Sequence, residues 1–397
     1  MTNDKIENEI QTNDKIENEL QFTRYLYEKD EVKISLIMSI LNKKDDAIFW
    51  AYELYYSGFQ NELVDLFWSL YYDFYYTLNP SFEKYLQTKL KNYLVLDLNS
   101  NNCIAMIVNN FMIRPHNMDV FILKQLVNIC DFDKTDIQDY TKNATNIENM
   151  CTELLNVLKT KDYMIMASYI LTDVKEEHLL EVFKVITDYF VIELGLKIDK
   201  KHLVLDYEKC FSDKRVLILS RIMYYFTFAN NKKMGKNIYV HVEPEDVILY
   251  ETILSSVDLP PRKILPLAKI CAIDCYNYLS LFDLKRETQD IKKAYYYNWL
   301  YYASFSPVWK SRILRCNGVI DAKNKNVVFD DDDNDDFYDV YGYEPDEQTA
   351  DVENKTIQDI RKERTWQSFY NEHNKNGIVE VEDDILISID KIAYVKI

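Results

Sequence analysis

Glycine and proline are scarce in this chain. It has 6 Gly and 8 Pro in 397 residues, where average usage gives roughly 28 and 20. Folds with many tight turns draw on both residues, so the shortage points to long helices and short links. Six glycines also leave little from which to build a phosphate cradle of backbone amides. No Gly-rich phosphate loop, dinucleotide fingerprint or G-x-S-x-G motif occurs. The histidines, His116, His178, His202, His241 and His373, form no H-E-x-x-H pair. No stretch approaches 18 uncharged apolar residues, so no membrane span is expected, and the opening MTNDKIENEI lacks the apolar core of a secretory signal. The 7 cysteines are scattered and odd in number, which suits reduced thiols better than a disulfide framework. Cys271 and Cys275 share a helical face, but their apolar flanks and lack of a nearby His make them core residues rather than zinc ligands. Positive charge is short as well: 47 Lys and Arg face 65 Asp and Glu, for a net charge of -18. That balance disfavours double-stranded DNA as a partner. No cofactor is expected, and the abundant carboxylates single out no acid–base pair.

Tyrosine is what the chain has in excess, with 32 residues in a composition that is 48% hydrophobic. Tyr packs like a core residue and keeps one polar tip, so it suits half-buried helix faces. The stretch Asp45–Leu86 shows the pattern most clearly. Asp45 or Asp46 can cap a helix that Gly58 stops. Asn61 can cap the next, which runs to about Leu78 with Glu62, Asp65, Ser69 and Asp73 as its polar stripe. Trp50 and Trp68 are expected to join stacked helices. Residues 2–11 recur almost unchanged at 12–21 and read as a solvated N-terminal arm.

Helical patterning begins near Phe22, with Val32, Leu36, Ile37, Ile40 and Leu41 on one face. Further helices are expected at about 81–93, 101–113, 118–131, 145–160, 162–172, 175–192, 213–229, 244–256, 263–284 and 287–304. The fold class expected is mainly α: an irregular, HEAT-like α-solenoid or a multi-helix bundle, with a small α+β C-terminal region. No fixed-period repeat is found. The domain reading is an arm at 1–21, a helical body at 22–304 with a sub-boundary near 195–212, and a mixed region at 305–397. Residues 236–243 suggest a short strand. Residues 318–329 read as a hairpin turning at Lys323–Lys325, 330–336 as an acidic loop, and 356–372 as a helix before a β-prone tail.

The acidic run fails as a calcium loop, because the sixth position from Asp331 is Asp336 where an EF-hand needs Gly. It reads instead as a solvated acidic loop, on which a basic protein or an RNA-bound protein can dock. Basic clusters occur at Lys232, Lys233 and Lys236, at Lys310, Arg312 and Arg315, and at Arg361, Lys362 and Arg364. The last two sit beside Trp309 and Trp366, and aromatic rings next to Arg and Lys can stack on single-stranded RNA bases. Tyr276, Leu281 and Phe282 fit Tyr-x-x-x-x-Leu-apolar, a pattern that resembles the helix by which scaffolds grip the cap-binding subunit in translation initiation. The candidate partner-binding residues are therefore Tyr276, Leu281, Phe282, Trp309, Lys310, Arg312, Arg315, Arg361, Arg364 and Trp366.

The segments AIFWAYELYYSGF (47–59), LFWSLYYDFYYTLNPSFEKYL (66–86), YYYNWLYYASFSPVW (295–309) and FYDVYGYEPDEQ (337–348) resemble a largely uncharacterised family of giant nucleocytoplasmic DNA viruses, the mimivirus-like group. The Lys-, Asn-, Ile- and Tyr-rich composition agrees with an AT-rich genome. The resemblance implies a protein of the host cytoplasm or viral factory. These are packing motifs and bring no catalytic residue. The function expected is a non-catalytic helical adaptor that binds proteins, with RNA as a further partner. A scaffold for a cap-binding protein and an RNA helicase is its specific form. A virion or assembly protein, and an enzyme with an unrecognised site, are the alternatives.

Overall fold

A computed structural model of the chain is mainly α-helical, with one two-stranded sheet among the described residues. It describes residues 21–27, 29–94, 102–129, 147–203, 213–251, 298–341 and 365–388. The chain forms two compact units, each assembled from two stretches. The first unit takes 1–63 and 242–363, and the second takes 64–241 and 364–397.

In the first unit, helix formation starts later than the apolar pattern suggests. Phe22 to Tyr27 form an irregular segment, 7% exposed or less throughout, and the first helix spans Lys29–Leu41. The segment avoids the helix because its polar groups have other partners. Arg24 N–H donates to Ser57 Oγ at 2.7 Å, and Tyr25 N–H donates to Glu53 Oε1 at 3.0 Å. The next helix, Ala47–Tyr56, has Asp46 at its N-cap, but the Asp46 side chain makes no capping bond, contrary to expectation. Its C-terminus does stop at Gly58, whose φ is +93°. Gly58 N–H reaches Tyr55 O and Phe59 N–H reaches Leu54 O, the double bond of a Schellman motif. Tyr52 of this helix stacks on Tyr250 with ring centres 5.1 Å apart.

Phe22, Leu26, Trp299, Tyr302, Trp309, Ile313, Val327 and Phe337 form a hydrophobic cluster in the first unit. Strands β1 (Val319–Asp321) and β2 (Asn326–Val328) pair antiparallel, with Val319 opposite Val328. The hairpin expected from the sequence is present. Asp321 fixes its turn by accepting from Lys323 N–H and Asn324 N–H. The acidic run that follows is a helix, Asp331–Tyr341, rather than a loop. Three aspartates in the first turn favour the positive end of the helix dipole. Phe337 and Tyr341, one turn apart, have ring centres 5.3 Å from each other, and Phe337 is buried against Trp309.

The second unit takes over within the Gln60–Leu70 helix, which ends in a π turn at Tyr71–Tyr75. The extra residue of a π turn shifts the register of the polar stripe. Asp73 is 1% exposed and binds Lys124 Nζ at 2.8 Å, so the stripe faces inward at that end. Burial raises the Asp73 pKa, and Lys124 opposes the shift. Further π turns at Tyr169–Asp173 and Tyr189–Glu193 close the helices before them. The described helices Phe82–Leu94, Cys103–Met112, Asp119–Ile129, Ile147–Thr160 and Lys214–Ala229 match five expected segments within a few residues. Residues 236–243 form no strand. Instead Asn110 pairs with the backbone of Val240 as a neighbouring strand would, donating to its carbonyl at 2.8 Å and accepting from its N–H at 3.0 Å.

The Trp366–His373 helix starts in a capping box made by Thr365 and Ser368. Within the tail expected to be β-prone, residues 383–388 are helical, and 389–397 lie outside the described residues. Asp119 anchors the stretch between the two helices by accepting from Ile378 N–H and Val379 N–H, at 2.9 and 3.0 Å. Residues 263–284, the first part of the expected 356–372 helix, Cys271 and Cys275 lie outside the described residues. Cys103, Cys151 and Cys316 are free thiols. No described helix is long and apolar enough to cross a membrane.

Candidate functional site

Two regions concentrate charge in a form that can recognise something. The first surrounds the Pro307–Arg315 helix of the first unit, where Pro opens the helix and basic residues fill its last turn. Trp309 is 2% exposed and its indole N–H donates to Arg24 O at 2.8 Å. The Arg312 guanidinium lies 4.6 Å from the Trp309 ring centre and 4.9 Å from that of Tyr341. Burial lowers the Arg312 pKa. Lys310 and Arg315 are exposed, and Arg315 reaches Tyr341 O–H at 3.3 Å.

The structure thus groups Trp309, Lys310, Arg312 and Arg315 with the acidic helix. It places Trp366 in the other unit, 1% exposed and stacked on Phe121. Both indoles are covered by protein, which corrects their expected role: neither ring face is open for a base to stack on. Tyr276, Leu281, Phe282, Arg361 and Arg364 lie outside the described residues.

Around this helix the first unit exposes four large apolar side chains. Leu314, Val319, Val328 and Val340 are 55%, 65%, 51% and 68% exposed. Phe337 is the buried residue of the Asp331–Tyr341 helix. Asp331, Asp332, Asp335, Asp336 and Asp339 point outward and form no ion pair among the described residues.

The second region is a cavity of about 230 Å³ in the second unit. Its wall comes from the turn after Leu78, from Arg114, from the 199–202 turn and from 234–237. Three cations line it, Arg114, Lys201 and Lys236, against one carboxylate, Asp199. Lys236 belongs to a basic cluster the sequence shows; Arg114 and Lys201 stand out in no motif. Arg114 is 3% exposed. It donates to Asn110 O and Ile238 O and lies between Phe82 and Tyr239, 3.9 and 4.8 Å from their ring centres. Burial lowers its pKa.

Behind the cavity, Glu83 accepts from both Tyr72 O–H at 2.7 Å and Arg221 at 2.9 Å. Arg221 also donates to His202 Nδ1 at 2.9 Å. A ring nitrogen that accepts leaves the proton on the other, so His202 carries it on Nε2. Burial, and then the positive Arg221 and Lys201, bring the His202 pKa down to about 3. A histidine so disarmed is a neutral hydrogen-bond donor, not a general base near pH 7. Among the described residues, no group of three or more His, Cys, Asp or Glu is placed to hold a metal ion. No family model, curated protein or solved structure matches the chain.

Proposed function

We propose that the protein is a non-catalytic adaptor that takes a basic, partly apolar segment of a partner protein on the first unit. The observation that carries this reading is the Asp331–Tyr341 helix, with its outward row of unpaired carboxylates beside exposed Leu314, Val319, Val328 and Val340. Carboxylates steer a basic partner, and apolar side chains open to solvent supply contact area once it docks. Lys310 and Arg315 at the rim reject partners of the wrong charge pattern. The buried indoles favour protein over single-stranded RNA as the occupant.

The test is fluorescence anisotropy of the full chain with a Lys/Arg-rich peptide carrying two or three leucines, and with a single-stranded RNA oligomer. Saturable peptide binding is expected, weakened by salt and by Asp332, Asp335, Asp336 and Asp339 replaced together by Asn. Peptide binding indifferent to those replacements, or tight RNA binding, overturns the reading. Its narrower form, a scaffold holding a cap-binding protein and an RNA helicase, rests on Tyr276, Leu281 and Phe282. Copurification of those two partners with a tagged chain tests it.

A further inference from the structure

Among the described residues the chain buries several cations, and their partners differ. Arg24 meets Glu53 at 3.0 Å, Arg221 meets Glu83 at 2.9 Å, and the half-buried Lys124 meets Asp73 at 2.8 Å. Arg114, 3% exposed, meets carbonyl oxygens and aromatic rings but no carboxylate. A buried charge is costly unless an opposite charge or a full set of hydrogen bonds compensates it. Arg114 is also the one of these four that lines the cavity. Lys201 and Lys236 stand at the same cavity. The Lys201 side chain is 53% exposed and lies 3.3 Å from Asp199, and Lys236 has no ion pair among the described residues. His202 adds a neutral N–H donor that does not switch off near pH 7.

We propose that this cavity binds the phosphate group of a small phosphate monoester, with Arg114 as the buried charge and Lys201, Lys236 and His202 Nε2–H as the surrounding donors. Three cations against one carboxylate suit a group carrying about -1.5 to -2 charge at pH 7. A cavity of about 230 Å³ is several times larger than a water's share of about 30 Å³, so it has room for the ester group as well as the phosphate. The inference is independent of the adaptor reading, which concerns the other unit.

Isothermal titration of the full chain with ribose 5-phosphate, inorganic phosphate and ribose, at matched ionic strength, tests it. Ribose 5-phosphate is expected to bind at one site with Kd of about 1 mM or tighter. Inorganic phosphate should bind more weakly and ribose not at all. Lys201→Met and Lys236→Met should each weaken binding by about two- to fivefold, the range of an exposed charge contact, and leave unliganded thermal stability unchanged. Equal affinity for phosphate and its ester overturns the ester assignment. Absent binding, or binding indifferent to both lysine replacements, overturns the site itself. Arg114→Lys keeps the charge without the planar fork and should retain part of the affinity. Full affinity in Arg114→Met removes Arg114 from the site.

Discussion

Arg24 in the first unit and Arg114 in the second are buried to the same degree, each 3% exposed, yet they sit in opposite surroundings. Arg24 has a carboxylate, and the segment carrying it is tied down through Ser57, Glu53 and Trp309. Its charge is matched by Glu53 at 3.0 Å, so no external anion is needed to balance it. Arg114 has carbonyls, two aromatic faces and an adjoining cavity. The difference separates a charge that locks a fold from one held ready for an anion. Asp119 is the acidic counterpart of Arg114. It is 0% exposed and held by backbone N–H donors at 2.9 and 3.0 Å, without a cation in ion-pair contact among the described residues.

The strongest way to break this contrast is Glu53→Gln, which takes the matching carboxylate charge away from Arg24. The expected loss is about 3–5 kcal/mol, the cost of removing one partner of a buried pair, read by denaturant unfolding of the full chain. A loss under about 1 kcal/mol would mean that the pair contributes no more than a surface contact.

Asp119 comes next. Burial raises it to about 6 against an ordinary 3.8, with the Val379 and Ile378 N–H groups opposing the shift. A raised carboxylate binds its proton more readily when folded, so this group's contribution to stability is largest below pH 4 and shrinks as pH rises to about 6. The stability gap between the wild type and Asp119→Asn should therefore move toward the wild type on acidification over that window, by up to about 3 kcal/mol. His202 acts in the opposite sense, since its folded value near 3 lies below 6.5 and stability is lost as pH falls between them. Subtracting the variant's profile removes this common trend, and a flat difference would dismiss the Asp119 assignment.

Arg114→Met should cost less than Glu53→Gln. It strips hydrogen bonds from two carbonyls but strands no charge, so about 1–2 kcal/mol is expected. A loss matching that of Glu53→Gln would place Arg114 among the structural ions. The smallest effect is expected for Gly58→Ala. A Cβ there sits 3.3 Å from Pro307 Cβ at a φ of +93°, a left-handed conformation that costs an alanine about 1 kcal/mol. Because Ser57 is adjacent, the same change should loosen the seat of Arg24, visible as faster amide exchange at Arg24 and Tyr25.

What the sequence made legible was local. The hairpin at 318–329, the stop at Gly58 and most helix spans follow from turn residues and periodicity within a dozen positions. The misreadings share one cause, a long-range partner that outweighs the local pattern. Asp73 sits on a polar stripe, but Lys124 and a π turn bring it inside. The acidic run reads as a loop on charge alone, but Phe337 and Tyr341 give that helix a face to bury. Val240 reads as part of a strand and finds its pairing in the side chain of Asn110. The cavity was not legible at all: Arg114, Lys201 and Lys236 are far apart in the chain, and no spacing relates them. A buried arginine without a carboxylate can be recognised only once its neighbours are known.

The three π turns among the described residues each begin at a tyrosine, and each closes with a bond to that tyrosine's carbonyl: Tyr76 N–H to Tyr71, Val174 N–H to Tyr169 and Leu194 N–H to Tyr189, at 2.8, 3.0 and 3.1 Å. Such a turn holds one residue more than the α turn it replaces. Straightening the turn to α while keeping all its residues would swing everything after it by about 100° about the helix axis, whereas deleting one residue there lets an α turn take its place without that swing. At Tyr71–Tyr75 the swing would carry Tyr76 away from His202 and Asn79 away from Pro115. When relatives of this chain are aligned, single-residue gaps therefore belong inside these helices, at Tyr71, Tyr169 and Tyr189, as well as in the loops where gaps are usually placed.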